Sequence, residues 1–257
     1  MDSGIKGKVA VVTGGGQGIG QAICERLAED GAKVAVWDID PDRAEEVRKS
    51  LSNGDGRHFA AAVDVSATAE VEAAGAATAE ALGGVDILVN NAAWATTPKP
   101  LLDIGDDEWH RVIDVNLGGA FRCIRALAPG MVERRSGAIV NIAALTAFTG
   151  LKEAPGAYAA SKGGVVALTY ASAAQLAGYG VRVNAVNPGT TSTPRTDMMP
   201  AARKAELFSH MLLRPDGGEP RMARPAEIAN AVAFLASPAS SWMTGTCLVC
   251  SGGQLFR

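Results

Sequence analysis

A chain of 257 residues that is 47% hydrophobic, 20% charged and 5% aromatic, with 30 glycines and a formal charge of −3, has the length of one large domain and can bury an ample core without disulfide staples. The small acidic surplus and the absence of a Lys/Arg cluster argue against nucleic-acid binding by phosphate neutralisation. No 18 apolar residues run together and the first residues are too glycine-interrupted for a secretory signal, so a soluble, cytoplasmic protein is expected.

From the amino terminus, Val- and Ile-rich apolar runs at 8–13, 33–38, 57–63, 85–90, 137–143, 181–186 and 246–250 predict strands. Longer amphipathic stretches near 18–30, 41–52, 67–82, 106–135, 157–178 and 226–236 predict the helices between them. Strand and helix alternate throughout, which implies a parallel sheet with helices on both faces, because each parallel connection must cross back over the sheet. Asp40-Pro41 offers an N-cap with proline at the first helical position, and Gly31 stands where a left-handed C-cap is expected. The segment 189–224, rich in Thr, Pro, Arg and Met, lacks clear periodicity and is too long for an ordinary connection, so it is read as a substrate lid within a single 1–257 domain. Cys24, Cys123, Cys247 and Cys250 are too sparse for a disulfide framework; the CxxC at 247–250 lies in an apolar strand and is read as packing thiols over a redox or metal pair. His58, His110 and His210 lack metal-ligand spacing, so no metal is expected.

Directly after the first strand comes Thr13-Gly14-Gly15-Gly16-Gln17-Gly18-Ile19-Gly20. A glycine run alone is equally a tight turn. Between a strand and a helix, however, it lets the backbone approach a pyrophosphate while the helix aims its free N–H groups at the anion. Asp38 ends the second strand, where a carboxylate accepts hydrogen bonds from ribose hydroxyls and repels a 2′-phosphate. No Lys or Arg accompanies it in Val36-Trp37-Asp38-Ile39-Asp40, so NAD is expected over NADP. Asp64-Val65 is placed to meet the adenine, with a structural cap as the alternative, and Asn90-Asn91-Ala92-Ala93 permits close approach to the cofactor.

Tyr158 and Lys162 share one helical face at i, i+4 spacing. A phenol with an ordinary pKa of about 10 is a poor base at neutral pH. A cation about 6 Å away, at an effective dielectric of about 20, supplies on the order of 2.8 kcal/mol, close to two pKa units. The expectation is that Lys162 lowers the phenol into a useful range for general base catalysis.

With Gly14–Gly20, Asn90-Asn91-Ala92-Ala93, Asn116, Tyr158-Ala159-Ala160-Ser161-Lys162 and Val181–Gly189 in this order, the chain resembles the short-chain dehydrogenase/reductase family over essentially its whole length. The resemblance implies an α/β fold, a single doubly wound Rossmann-type domain with a seven-stranded parallel sheet, an NAD(P) cofactor and a homotetramer. It implies cofactor contacts at Gly14, Gln17, Gly18, Ile19, Gly20 and Asn91, and from Pro188 and Thr193 beside the nicotinamide. It also implies Tyr158 as general base, Lys162 as the group that lowers its pKa and holds the nicotinamide ribose, and Asn116 as the holder of a proton-relay water. One residue departs from the pattern: Ala144 stands where the family places a serine whose hydroxyl orients the substrate oxygen. Losing such a donor costs about 10²–10³ in rate. Thr146 is one source of a replacement hydroxyl, since residues two apart in extended chain point the same way. A substituted form of an active enzyme, the slightly favoured explanation, and a non-catalytic NAD-binding relative are the other two.

Trp94, Thr146, Glu153 and Arg195 are the pocket candidates, with a packed core aromatic as the alternative for Trp94. At the carboxyl end, Phe256 and Arg257 are candidates to reach a neighbouring subunit's site, where Arg257 would bind a carboxylate. Polar side chains of both signs suit a small sugar acid or polyol. A carbonyl reductase of the 3-oxoacyl type is the rival reading.

Overall fold

The seven apolar runs form strands, and the computed structural model describes residues 3–52, 57–97, 99–149 and 155–254. They are β1 (Val9–Thr13), β2 (Lys33–Asp38), β3 (Phe59–Ala62), β4 (Ile87–Asn90), β5 (Gly137–Ile142), β6 (Val181–Pro188) and β7 (Cys247–Cys250). Together they make one seven-stranded sheet in the order β3-β2-β1-β4-β5-β6-β7, parallel at every pairing. β1 and β4 are buried along their whole length, as a sheet covered on both faces requires. β3 begins two residues later than the 57–63 run, because His58 is used differently: its Nδ1 accepts the Val34 N–H at 3.1 Å just before the β2–β3 ladder opens.

The helices are α1 (Gly18–Glu29), α2 (Pro41–Ser50), α3 (Thr68–Leu82), α4 (Asp106–Ile113), α5 (Gly119–Glu133), α6 (Gly156–Leu176), α7 (Pro194–Asp197), α8 (Ala201–Ser209) and α9 (Pro225–Ala236). One core face packs α1, α2 and α9 on the sheet through residues such as Ile23, Leu27, Val47, Ile228 and Val232. The other packs α3, α5 and α6 through Val71, Ile124, Leu127 and Ala173, and there Trp37 is fully buried with its indole N–H donated to Thr78 Oγ1 at 3.1 Å. The expected caps form: Asp40 Oδ1 accepts the N–H groups of Asp42 (3.1 Å) and Arg43 (3.2 Å), and Gly31 adopts φ +87° at the end of α1.

The stretch 106–135 is not one helix. A π-helical turn, Asp114–Gly118, separates α4 from α5 and carries Asn116. The segment 189–224 holds α7, α8 and a 3₁₀ turn, and is anchored by a parallel bridge between Thr191 and Ala223. The four cysteines are free thiols. Among the described residues, no helix is long and apolar enough to cross a membrane.

Arg182, at the start of β6, ties the sheet to the end of α9. Its guanidinium donates to the carbonyls of Leu235 (2.8 Å) and Ser237 (3.2 Å) and to Ser240 Oγ (2.8 Å). Arg182→Ala strands those acceptors at a helix C-terminus and is expected to cost about 2–4 kcal/mol in urea unfolding. A loss under about 0.5 kcal/mol, the range of an ordinary surface change, would contradict this account.

Candidate active site

At the carboxyl ends of β1 and β4 two loops are stapled together. Thr13 Oγ1 accepts the N–H groups of Asn91 and Ala92, both at 3.0 Å, while Asn91 Nδ2 donates to the carbonyls of Thr13 (3.0 Å) and Gly14 (2.9 Å). The glycine turn folds back so tightly that a Cβ on Gly20 would stand 2.0 Å from the Gly14 carbonyl oxygen, so only glycine fits. No side chain caps the N-terminus of α1, where Gln17 is the N-cap residue. Asp38, 8% exposed, accepts the Gly16 N–H at 2.8 Å and the Asp40 N–H at 3.1 Å, which leaves lone pairs toward the cleft. The cleft itself measures about 390 Å³ and runs from Asp38 past the turn to Tyr158 and Lys162. An uncapped helix N-terminus, a close backbone turn and a carboxylate at the far end fit a dinucleotide, with pyrophosphate at α1 and ribose hydroxyls at Asp38.

At the other end, α6 presents Tyr158 and Lys162, and the π turn presents Asn116. Asn116, 2% exposed, receives the Trp94 N–H at Oδ1 (2.7 Å) and donates Nδ2 to the Trp94 carbonyl (3.0 Å) and to Ser161 Oγ (2.9 Å). Ser161 in turn donates to the Tyr158 carbonyl at 2.7 Å. The Asn116 amide hydrogens are therefore spent on positioning, and a relay water would be left the second lone pair of Oδ1. Lys162 is buried and donates from Nζ to the Ile142 carbonyl at 2.6 Å, with Nζ 5.7 Å from the Tyr158 ring centre. Burial brings its pKa down to about 8.

The expectation that Lys162 lowers the phenol is not met here. Burial pushes the Tyr158 hydroxyl above its ordinary value, and the charge that acts against this is the Arg195 guanidinium. Burial strips a phenolate of its hydration, and the Lys162 ammonium is turned to the Ile142 carbonyl.

Of the other expected residues, Gly14, Gln17, Gly18, Ile19, Gly20, Asp64, Val65, Asn91, Trp94, Thr193 and Arg195 line the same cleft. Trp94 is no core aromatic but 42% exposed, with the Arg111 guanidinium 5.7 Å from its ring centre. Burial opposes charge on Asp64, but hydrogen bonds from Ser66 and the nearby Arg111 hold its carboxyl below the usual range. Asn90 faces inward, its Nδ2 donating to Asn141 Oδ1 at 2.8 Å. Pro188 does not line the cleft; it closes β6 opposite Cys250. Thr146 does not line it either, and the alternation argument fails. Ala144 is extended (φ −163°, ψ 160°), but Thr146 lies in a 3₁₀ turn, Leu145–Ala147, with Oγ1 buried and without a partner. Glu153, Phe256 and Arg257 lie outside the described residues.

Two cleft cations were not foreseen. Arg43 sits in the first turn of α2 and lies against Gly16 and Asp38, a placement that follows from α2 starting three residues after β2. Arg111 reaches in from α4, and no local pattern in the sequence marks it.

A family profile described as Enoyl-(Acyl carrier protein) reductase matches residues 14–254. The 3-oxoacyl-[acyl-carrier-protein] reductase FabG of Vibrio cholerae is 38% identical over 251 residues, 97% of this chain and 98% of that one. Among solved structures, a 7α-hydroxysteroid dehydrogenase complexed with NADH and 7-oxo glycochenodeoxycholic acid superposes with TM-score 0.91 at 32% identity, covering 98% and 96% of the two chains. The 3-ketoacyl-(acyl-carrier-protein) reductase of Brucella melitensis complexed with NADH gives 0.88 at 34% identity, covering 98% and 99%. The chain belongs to the short-chain dehydrogenase/reductase family. It is an oxidoreductase, and the non-catalytic reading is set aside.

The buried ammonium makes stability depend on pH. Lys162 has a folded pKa of about 8 against 10.5 unfolded, so below 8 the folded state carries the full cost of a desolvated charge. Between 8 and 10.5 the unfolded state binds more protons and that cost is relieved. Wild type is therefore expected to gain about 3 kcal/mol relative to Lys162→Met in urea unfolding between pH 7 and 10.5. A pH-independent difference between the two would contradict the burial of this charge.

Proposed function

We propose that this oxidoreductase interconverts a secondary alcohol and a ketone with NAD(H) as its preferred cofactor, on a small substrate that carries an anionic group. When bound, the cofactor supplies or accepts the hydride. The observation that carries the reading is the joining in one cleft of the Asp38 carboxylate, the uncapped end of α1, and the Tyr158–Lys162 pair. In this reading the Tyr158 hydroxyl exchanges the proton at the substrate oxygen. Lys162 holds the nicotinamide ribose, while Asn116 fixes the backbone at Trp94 and, through Ser161, the first turn of α6. The segment 189–224 serves as the lid, with Thr193 toward the nicotinamide and Arg195 toward the substrate.

The preference for NAD rests on Asp38, whose charge opposes a 2′-phosphate; Arg43 beside it is drawn off by Asp40 at 3.1 Å. NADH is expected to give a kcat/KM at least about 10-fold above NADPH, and Asp38→Ala to erase most of that ratio. Equal use of both cofactors by wild type would overturn the preference.

Arg195 suits a substrate bearing a carboxylate, so a sugar acid fits better than an uncharged polyol. A 3-oxoacyl thioester is the second reading, favoured by the Vibrio cholerae relative. Turnover at 340 nm with a sugar-acid panel and with acetoacetyl-CoA separates the two. With the Thr146 hydroxyl buried away from the cleft, Ala144 leaves the substrate oxygen short of a donor. Ala144→Ser is expected to raise kcat by about 10²–10³. No gain, together with loss of activity in Thr146→Ala, would show that Thr146 already supplies the hydroxyl. Exposed apolar side chains at two places, Phe121 on α5 and Trp242 with Val249 of β7, support a homotetramer, which light scattering would detect as four times the 26.3 kDa chain mass.

A further inference from the structure

Arg195 is exposed on α7, lines the same cleft as Tyr158 and Trp94, and donates from Nη2 to the Thr96 carbonyl at 3.2 Å. That contact joins positions 99 residues apart and fastens the 189–224 segment to the loop after β4. The guanidinium is thus held at the cleft from two sides.

The two cations near the phenol differ in kind. Lys162 is buried, directs its ammonium at the Ile142 carbonyl, and has a pKa brought down to about 8 by burial, so it discharges over the alkaline range in which a phenol ionises. A guanidinium stays charged throughout that range. The charges on the other described elements around Tyr158 are largely engaged. On α4, Arg111 pairs with Asp64 at 3.5 Å and Glu108 pairs with Lys99. Asp114 in the π turn pairs with Arg122 at 2.6 Å, and Asp197 on α7 accepts from Ser192 Oγ at 2.8 Å. Asp106 and Asp107 occupy the exposed first turn of α4, and His110 lines a separate groove with Ile113 and Phe121.

We propose that Arg195 is a positioning residue for Tyr158: braced by the Thr96 carbonyl, its guanidinium stabilises negative charge on the phenol oxygen while Tyr158 exchanges its proton with substrate. The proposal rests on the reading of Tyr158 as the acid–base group. It gives the 189–224 segment an electrostatic part in the chemistry. Only the proton on the phenol oxygen moves, and Arg195 keeps all of its own.

The test uses full-length protein labelled with ¹³Cζ-tyrosine, whose three phenols are Tyr158, Tyr170 and Tyr179, with Tyr158→Phe assigning the resonance. Arg195→Gln is expected to move the Tyr158 titration to higher pH by about half a unit, allowing for the partial solvent screening of an exposed guanidinium, and Arg195→Lys to retain most of the wild-type position. Raising the salt from 0.05 to 0.5 M is expected to shift wild type upward and leave Arg195→Gln unmoved. With acetoacetyl-CoA and NADH, where the protonated phenol is the acid, the alkaline limb of kcat/KM moves upward by the same amount, whatever Arg195→Gln costs in substrate binding. An unmoved Tyr158 titration in Arg195→Gln overturns the proposal and leaves Arg195 a structural brace or a substrate contact alone. Full activity in Tyr158→Phe instead removes the acid–base reading, an outcome separate from what Arg195 does to the Tyr158 resonance.

Discussion

β1 and β4 lie side by side in the sheet, but the chain leaves them in opposite directions: α1 packs on one face with α2 and α9, and α5 packs on the other with α3 and α6. A parallel sheet whose connections share one hand must part at such a point, and the crevice opens at the carboxyl ends of the strands. Everything functional in this molecule depends on that parting. The glycine turn after β1 and the Asn91 loop after β4 form its two lips, and the Thr13–Asn91 hydrogen bonds keep them at a fixed separation.

Behind the crevice the core is not purely apolar. Asn90 of β4 donates to Asn141 of β5 at 2.8 Å, and Asn141 donates to Thr169 of α6 at 2.9 Å. This buried chain crosses two strands and a helix with specific partners, which apolar packing alone does not dictate. The register it sets is passed to the site, because α6 also carries Tyr158 and Lys162. The π turn serves the same purpose for Asn116. The extra residue in that turn breaks the continuity of α4 and α5, and the Asn116 side chain clamps both main-chain groups of Trp94.

Much of this was legible in the sequence, for a physical reason. Strands buried on both faces read as unbroken Val, Ile, Leu and Ala, as in Val9–Val12 and Ile87–Val89, and the glycine turn announces itself because no other residue survives at Gly20. Interactions between distant segments were not legible. Arg111 meets Trp94 only through tertiary packing, Arg43 comes within reach of Asp38 only once α2 is set against β2, and the π turn has the composition of an ordinary helix. The electrostatic reading of Tyr158 and Lys162 erred for a related reason. Spacing correctly brings Lys162 beside Tyr158, with Nζ 5.7 Å from the ring centre, but it carries no information about desolvation. Here desolvation raises the phenol and lowers the amine.

The site therefore balances burial, which excludes water and opposes charge, against a few fixed cations and hydrogen bonds that restore it. In the proposed reaction the Tyr158 hydroxyl carries out the proton exchange in a cleft whose nucleotide half is independent of it. Tyr158→Phe, followed at 340 nm with NADH and a substrate turned over by wild type, with NADH binding read separately by fluorescence, tests this most directly. The expected result is NADH affinity within about 3-fold of wild type and turnover lowered by about 10²–10⁴. Unchanged turnover, with NADH bound as before, would contradict it.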